Sequence, residues 1–285
     1  MEPFVQGEDT LMLLHLEPWL VEYEQITAGF TGRQGGASKE PYDSLNCAFH
    51  VGDDPEDVLS NRRALAEALG FTLEAWTCGE QTHGAEIAVV REEGRGRGQK
   101  DRTSAFQTTD GLLTDVPGVF LASFYADCVP LYFYDPVHRV VGLAHAGWKG
   151  TVAQIAAAMV SKMEAEYGSH PQNIVAAIGP SIGDCCYEVD DYVMEHVRRL
   201  EGDLNEPIEP PETVELYRTS GTDESKYMLN LKEMNRRIMI KAGILPTHIE
   251  CTTWCTSCNQ DLFFSYRKEN GITGRMTSWI GIKES

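Results

Sequence analysis

Short runs rich in β-branched and aromatic residues alternate with longer amphipathic stretches through most of the chain. Segments 86–90, 118–125, 130–134, 139–144, 173–178 and 262–266 are apolar and bounded by polar or turn-forming residues, and they predict strands. Helical periodicity is carried by 55–69, 151–167, 191–200 and 229–242. Asp135-Pro136 and the residues after it form a turn between two strands, so the centre reads as a hairpin rather than a crossover through a helix. The expected content is mixed α and β, with an antiparallel or mixed sheet.

The first helix carries its own start signal, because Asp54 can cap it and Pro55 suits the first helical position. At about 100° per residue, Val58, Arg62, Leu65 and Leu69 share one narrow stripe while Arg63 points away. A guanidinium on a buried face needs a partner, since an unpaired buried charge is strongly destabilising. Arg62 is therefore either a functional cation or the holder of a structural partner.

No repeat and no Pro- or Ser-rich linker divides the sequence, which favours one domain over residues 1–285. The one biased stretch, residues 91–102 (REEGRGRGQKDR), predicts a mobile, solvated surface loop. Asp and Glu number 43 against 24 Lys and Arg, a formal charge of −19. Such a chain repels nucleic-acid phosphates and anionic membranes, so any anionic ligand must be gathered by a local cluster of donors. The apolar stretch 11–14 is too short for a signal peptide core or a membrane span, which points to the cytoplasm. Eight cysteines in a chain of 285 residues do not make a disulfide scaffold; reduced thiols are expected.

His83, Cys128 and His145 each fall at the end of a predicted strand, where a scaffold presents reactive groups. Two imidazoles and a thiolate are good zinc ligands, and three ligands leave a fourth position open, as in catalytic sites. Without metal, the same trio could serve as a Cys-His nucleophile with Asp127 as orienter, although in an extended segment Asp127 faces away from Cys128. Gly147-Trp148-Lys149-Gly150-Thr151 lacks the spacing of a phosphate loop, but amides at the start of a helix beginning at Thr151 could hold an anion. Cys251, Cys255 and Cys258 form C-x3-C-x2-C, and Cys185-Cys186 are adjacent. Packed thiols are expected for both groups, since neighbours on a regular strand cannot face one metal.

Taken together, the motifs resemble one family. They are Thr31-Gly32-Arg33-Gln34-Gly35-Gly36, Pro41-Tyr42-Asp43-Ser44-Leu45-Asn46, Gly52-Asp53, Asn61-Arg62, Gln81-Thr82-His83-Gly84 and Thr109-Asp110-Gly111. Ala126-Asp127-Cys128, His145-Ala146-Gly147-Trp148, Ile178-Gly179-Pro180, Phe263-Phe264-Ser265-Tyr266-Arg267 and Thr273-Gly274-Arg275-Met276 follow in order. The sequence is similar to the multi-copper polyphenol oxidoreductase, or laccase-like, family, whose members are regarded as purine nucleoside phosphorylases. The resemblance implies an α+β fold with mixed sheets in a β-sandwich-like core and flanking helices, in the class of cysteine-hydrolase-like domains. It implies phosphorolysis of adenosine, inosine and S-methyl-5′-thioadenosine to the free base and ribose 1-phosphate, with a zinc-dependent adenosine deaminase activity beside it. Purine nucleosides and phosphate would be the ligands, with no nucleic acid or membrane partner. The family's metal ligands fall on His83, Cys128 and His145, which with its active-site arginine, at Arg62, would be catalytic; Arg62, holding phosphate, and the family's asparagine, at Asn46, would bind the substrates. Cys255 matches a recurrent family cysteine, whereas Cys258 and the Cys185-Cys186 pair match none. Zinc is the implied cofactor and copper the alternative. A copper-dependent polyphenol oxidase needs about ten histidines, often in His-x-His pairs (compare the ligand preferences in), and this chain has eight and no such pair. A zinc-binding regulatory or interaction domain is the non-enzymatic alternative.

Overall fold

Strands of the central region are apolar on both faces because each is covered on both. Along Val129–Asp135, Val129, Leu131 and Phe133 enter one apolar cluster while Tyr132 and Tyr134 enter another. Val140–Ala146 divides in the same way, with Val140 and Ala144 on one side and Val141 and Leu143 on the other. This two-sided burial removes the alternation that a half-exposed strand would show. The computed structural model describes residues 1–204, 214–221 and 223–284.

Two six-stranded mixed sheets form the centre. The first runs Phe4–Gln6, Leu13–Leu16, Ile26–Thr31, Met276–Ile282, Phe120–Tyr125, Trp76–Cys78, and the second Ile249–Cys251, Val175–Ile178, Val129–Asp135, Val140–Ala146, Gly111–Thr114, Ile87–Val89. A smaller three-stranded sheet joins Glu188–Asp190, Asp223–Leu229 and Tyr217–Ser220. Most pairs are antiparallel, as expected; Trp76–Cys78, Ile87–Val89 and Ile249–Cys251 pair in parallel at the edges. One apolar cluster draws on both large sheets, with Phe30, Leu121 and Ile280 from the first and Leu112, Tyr132 and Leu143 from the second. Helix Pro55–Ala68 covers the outer face of the first sheet through Leu65 and Ala66. Ile155–Tyr167, Asp191–Leu204 and Leu231–Lys241 cover the second. The fold is α+β with mixed sheets and flanking helices. No helix among the described residues is long and apolar enough to cross a membrane.

The hairpin forms as expected, Val129–Asp135 pairing antiparallel with Val140–Ala146. Asp54 accepts a hydrogen bond from the amide of Glu56 at 2.9 Å, capping its helix, with Arg62 buried and Arg63 exposed. Three expectations are corrected. Residues 262–266 form no strand; their backbone turns, and Phe263 and Phe264 are apolar because they plug the cluster between the sheets. The helix expected over 151–167 is two helices, Trp148–Val152 and Ile155–Tyr167, broken where Gln154 takes a left-handed φ of 57°. The stretch 91–102 is packed rather than solvated at its glycines, for Gly94, Gly96 and Gly98 are buried. Gly98 has φ +81°, and a Cβ there would lie 2.5 Å from the sulfur of Cys78, so only glycine serves.

Candidate metal centre

Strand register assembles the site. Val129 pairs with Ala146 and Pro130 with His145, which brings Cys128, just ahead of its strand, up to His145. On the other side of the same strand Gly111 pairs with Ala144, and the amide of His145 donates to the carbonyl of Asp110 at 2.8 Å. The Asp110 carboxylate accepts from His145 Nδ1 at 2.9 Å and from the amides of Thr82, His83 and Gly84 at 3.1, 2.9 and 2.8 Å. One buried carboxylate therefore orients one imidazole and fixes the backbone of the other. Because Asp110 engages Nδ1, Nε2 of His145 is left to act as a ligand.

The ligand atoms of His83, Cys128 and His145 all lie within 4.8 Å of one another, with His145 buried, Cys128 half-buried and His83 exposed. His83 and Asp127 hold φ of 62° and 86°, left-handed conformations that non-glycine residues adopt rarely and chiefly at functional sites. Burial pushes the Cys128 thiol up, but His145 and His83 outweigh it and bring the thiol down to about 6. Burial pushes His145 down, but the Cys128 sulfur and Asp110 raise it to about 9. Burial likewise opposes ionisation of Asp110, yet His145 and the amides of Gly84 and Thr82 hold it at about 2. The trio is thus poised to present a thiolate at neutral pH, which is the form that binds metal.

Space as well as charge suits an ion. A Cβ on Gly147 would lie 3.1 Å from the Cys128 sulfur and 3.1 Å from the His83 ring, so any larger residue would crowd the ligands. Among the described residues the group contains three ligands and no fourth. Two imidazoles and one thiolate are a donor set for a transition-metal ion.

The trio lines a cavity of about 720 Å³. Five cationic side chains also line it: Arg62, Arg102, Lys149, Arg267 and Arg275. Arg102 is paired with Glu80. Arg62, 2% exposed, donates Nε to the carbonyl of Cys47 at 2.7 Å and Nη1 to those of Gly98 and Gln99 at 2.6 and 3.1 Å. Its guanidinium also lies over the rings of Phe49, Phe124 and Trp76 at 4.3, 4.8 and 5.1 Å. The partner predicted for Arg62 is thus a set of carbonyls and aromatic faces. Lys149, Arg267 and Arg275 have no carboxylate within ion-pair distance among the described residues, and Arg267 donates Nη1 to the carbonyl of Glu188 at 2.9 Å. Arg275 spends Nη1 on the carbonyls of Thr273 and Gly274.

Asn46 does not reach the cavity. It is fully buried, its amide donating to Ala48 and Asp53 and its oxygen accepting from the backbone amide of Arg275 at 3.0 Å. It braces Arg275 rather than offering itself to a ligand. Asp127 sits in a bend with a left-handed φ of 86° rather than in an extended segment, and its carboxylate accepts from Thr256, Ser265 and the amide of Arg267 at 2.7, 3.1 and 2.7 Å. The anion site anticipated at a helix beginning at Thr151 falls away, because that helix begins at Trp148 and is five residues long. Sequence reasoning gave Asp110, Gly147 and Arg275 no role, though each stood in a quoted motif. Asp110 stands immediately before strand Gly111–Thr114, a strand the sequence pattern does not predict, so only its place in the Thr109-Asp110-Gly111 motif marks it.

Residues 27–283 match the family model described as multi-copper polyphenol oxidoreductase laccase. The chain belongs to this family. It is 48% identical over 257 residues to the protein named purine nucleoside phosphorylase YlmD of Geobacillus stearothermophilus, covering 90% of each. With the Bacillus subtilis protein of the same name identity is 43% over 262 residues, 92% of this chain and 90% of that one. The crystal structure of the Geobacillus stearothermophilus YlmD superposes with a TM-score of 0.90 over the whole of both chains. That of the Bacillus licheniformis hypothetical protein YfiH gives 0.89 over 99% of this chain and 100% of the other. Sequence identity is 44% in both superpositions. The chain is an enzyme of this family.

Proposed function

We propose that the chain is a purine nucleoside phosphorylase acting on adenosine, inosine and S-methyl-5′-thioadenosine, with zinc at His83, Cys128 and His145 and a second activity as adenosine deaminase. The observation that carries this reading is the placement of the trio in one cavity with four cations, Arg62, Lys149, Arg267 and Arg275, that have no carboxylate within ion-pair distance among the described residues, in a chain of net charge −19. Such a cavity gathers an anion beside a metal centre in an otherwise repulsive field. Its volume of about 720 Å³ has room for a nucleoside and a phosphate. The names of the relatives support the same activity.

A zinc ion at the trio would supply Lewis acidity and bring a bound water to a pKa of about 7. The side chains do the rest. Asp110 keeps His145 in one tautomer, with Nε2 inward. Arg275 and Lys149 hold phosphate, which Asn46 assists by fixing the backbone of Arg275; Arg62 shapes the wall behind them. In phosphorolysis an oxygen of phosphate bonds to C1′ as the C1′–N9 bond breaks, and the base leaves with that electron pair and takes up a proton. In deamination the oxygen of water bonds to C6 and ammonia departs, leaving inosine. C1′ and C6 lie on opposite sides of the purine, so two poses serve the two reactions. Phe49 and Phe124 offer the purine apolar faces in either pose.

The same reading takes residues 1–285 as a single domain, its two large sheets as a β-sandwich-like core of the cysteine-hydrolase-like class, and its compartment as the cytoplasm. Chromatography of products from adenosine, with and without millimolar phosphate, tests the activity. Ribose 1-phosphate is expected only with phosphate, and inosine without it. Free ribose would indicate a hydrolase, and no turnover of nucleoside in either condition would remove the assignment.

A further inference from the structure

The described residues contain one other group of metal-ligating side chains, and it lies apart from the trio. Cys185, Cys186, Cys255 and Cys258 place all four sulfurs within 4.8 Å of one another. Cys258 lies between the other two exposed or half-exposed thiols, 3.5 Å from Cys185 and 3.3 Å from Cys186. Packed core thiols, the expectation from sequence, do not describe this group, since Cys185 and Cys258 are exposed. Adjacent cysteines are kept from facing one metal only where the backbone is a strand. Residues 184–186 form a turn instead, and a turn can bring both side chains to one side. Cys251 of the C-x3-C-x2-C run lies outside the group.

The backbone is arranged around these sulfurs. Ser181 bridges to Cys255, and the amide of Thr256 donates to the carbonyl of Ser181 at 3.0 Å, so the two cysteine-bearing turns are held side by side. The amide of Gly183 points at the sulfur of Cys255 at 3.2 Å. A Cβ on Gly183 would lie 3.1 Å from the sulfur of Cys185 and 3.3 Å from Cβ of Cys255, so glycine keeps the centre of the group open. Two cations stand next to it. Lys232 is buried and donates to the carbonyls of Thr252 and Trp254 on the segment entering Cys255. Arg218 is held by the side chain and carbonyl of Asp184, the neighbour of Cys185. Backbone amides aimed at sulfur and nearby cations are the outer surroundings that a thiolate-rich, anionic centre requires.

We propose that Cys185, Cys186, Cys255 and Cys258 bind a second metal ion, a tetrahedral zinc distinct from the one at the trio. Zinc–sulfur bonds of about 2.3 Å put tetrahedral thiolates about 3.8 Å apart, which agrees with the compactness of the quartet. An iron–sulfur cluster places several iron and sulfide atoms between its thiolates and needs a wider cage. Four protein ligands close the coordination sphere, so this ion has a structural role. It would staple the turn at 181–187, which supplies Ile182 and Tyr187 to the cavity wall, to the turn at 255–258. The amide of Ile182 donates to the carbonyl of Asp127 at 3.0 Å and Thr256 donates to the Asp127 carboxylate at 2.7 Å, while Ile182 and Tyr187 line the cavity itself. The second ion thereby steadies the residue preceding Cys128.

The test uses the full chain purified and dialysed against trace zinc. Metal analysis should give two zinc ions per chain, falling to one in Cys258→Ser and in Cys185→Ser, and to one in Cys128→Ala, with Cys251→Ser unchanged. Cobalt substitution separates the sites: the intense thiolate-to-cobalt band of a tetrathiolate should persist in Cys128→Ala and vanish in Cys185→Ser. A measurement on the unaltered chain guards against variants that fail to fold. Alkylation mapped by mass spectrometry should find all four cysteines protected until a strong chelator is added. Equal alkylation with and without chelator, a disulfide joining any two of the four, iron with sulfide in place of zinc, or a zinc content insensitive to Cys185→Ser and Cys258→Ser would each overturn the proposal.

Discussion

A single carboxylate, Asp110, ties the proposed centre together, since it accepts from one ligand's ring and from the backbone on either side of another. Asp110→Asn should therefore weaken zinc binding by about 10- to 100-fold and lower turnover, as competition with a chelating dye would show; unchanged affinity would mean that the carboxylate serves only the fold. The thiol and imidazole beside it make a second prediction, for metal-free protein. His145, raised to about 9, contributes stability that is fully present below its unfolded value and is lost as pH rises through about 9. Cys128, lowered to about 6, contributes stability that is present above its unfolded value and is lost as pH falls through about 6. The ion pair is thus populated between those limits, and thiolate absorbance should grow with a midpoint near 6 that Cys128→Ala abolishes. The two cavity arginines should part company. Arg275→Ala is expected to raise KM for phosphate with little change in Tm, because the guanidinium spends only one nitrogen on the protein. Arg62→Ala removes the guanidinium donor from the carbonyls of Cys47, Gly98 and Gln99 and should cost on the order of 3 kcal/mol, with Arg63→Ala close to neutral. Equal melting temperatures for Arg62→Ala and Arg63→Ala would contradict the packing described for that helix.

At the scale of elements, what could be read in advance was whatever local periodicity decides. The stripe of Val58, Arg62 and Leu65, the Asp54 cap and the hairpin at Asp135-Pro136 all depend on neighbours within a turn or two, and all stand in the structure. The misreadings have a common cause, which is contact with distant chain. Phe263 and Phe264 look like strand residues but fill a gap between sheets. The glycines of 91–102 look like a loose loop, yet the carbonyl of Gly98 takes a hydrogen bond from Arg62 and Gly98 itself packs on Cys78. His83, Cys128 and His145 could be nominated as ligands by chemistry and place, whereas Asp110 could not be given its role without the register that sets it opposite His145. The cysteine quartet comes together because residues 184–186 turn, where the sequence alone suggests a strand that would part Cys185 from Cys186. Gly98→Ala tests the reading of the packed loop: it forces a left-handed alanine against a sulfur and should destabilise by about 1–3 kcal/mol, seen as a shift of the denaturant midpoint. An unchanged midpoint would mean that residues 91–102 are loosely held after all.

Across the whole molecule, two sheets with helices outside them place strand ends, turns and a local group of cations around one cavity. The net charge of −19 matters here, because it makes the cations of that cavity an exception that a phosphate can find. The central claim is that the His83, Cys128 and His145 centre is required for nucleoside turnover in that cavity. Reconstitution tests it most directly: metal-free enzyme is titrated with zinc while ribose 1-phosphate is measured from adenosine and phosphate, in the parent chain and in Cys128→Ala. The account predicts that turnover is absent without metal, returns on zinc addition in the parent chain, and does not return in Cys128→Ala, although that variant still folds. Full turnover in rigorously metal-free enzyme, or equal recovery in Cys128→Ala, would contradict it.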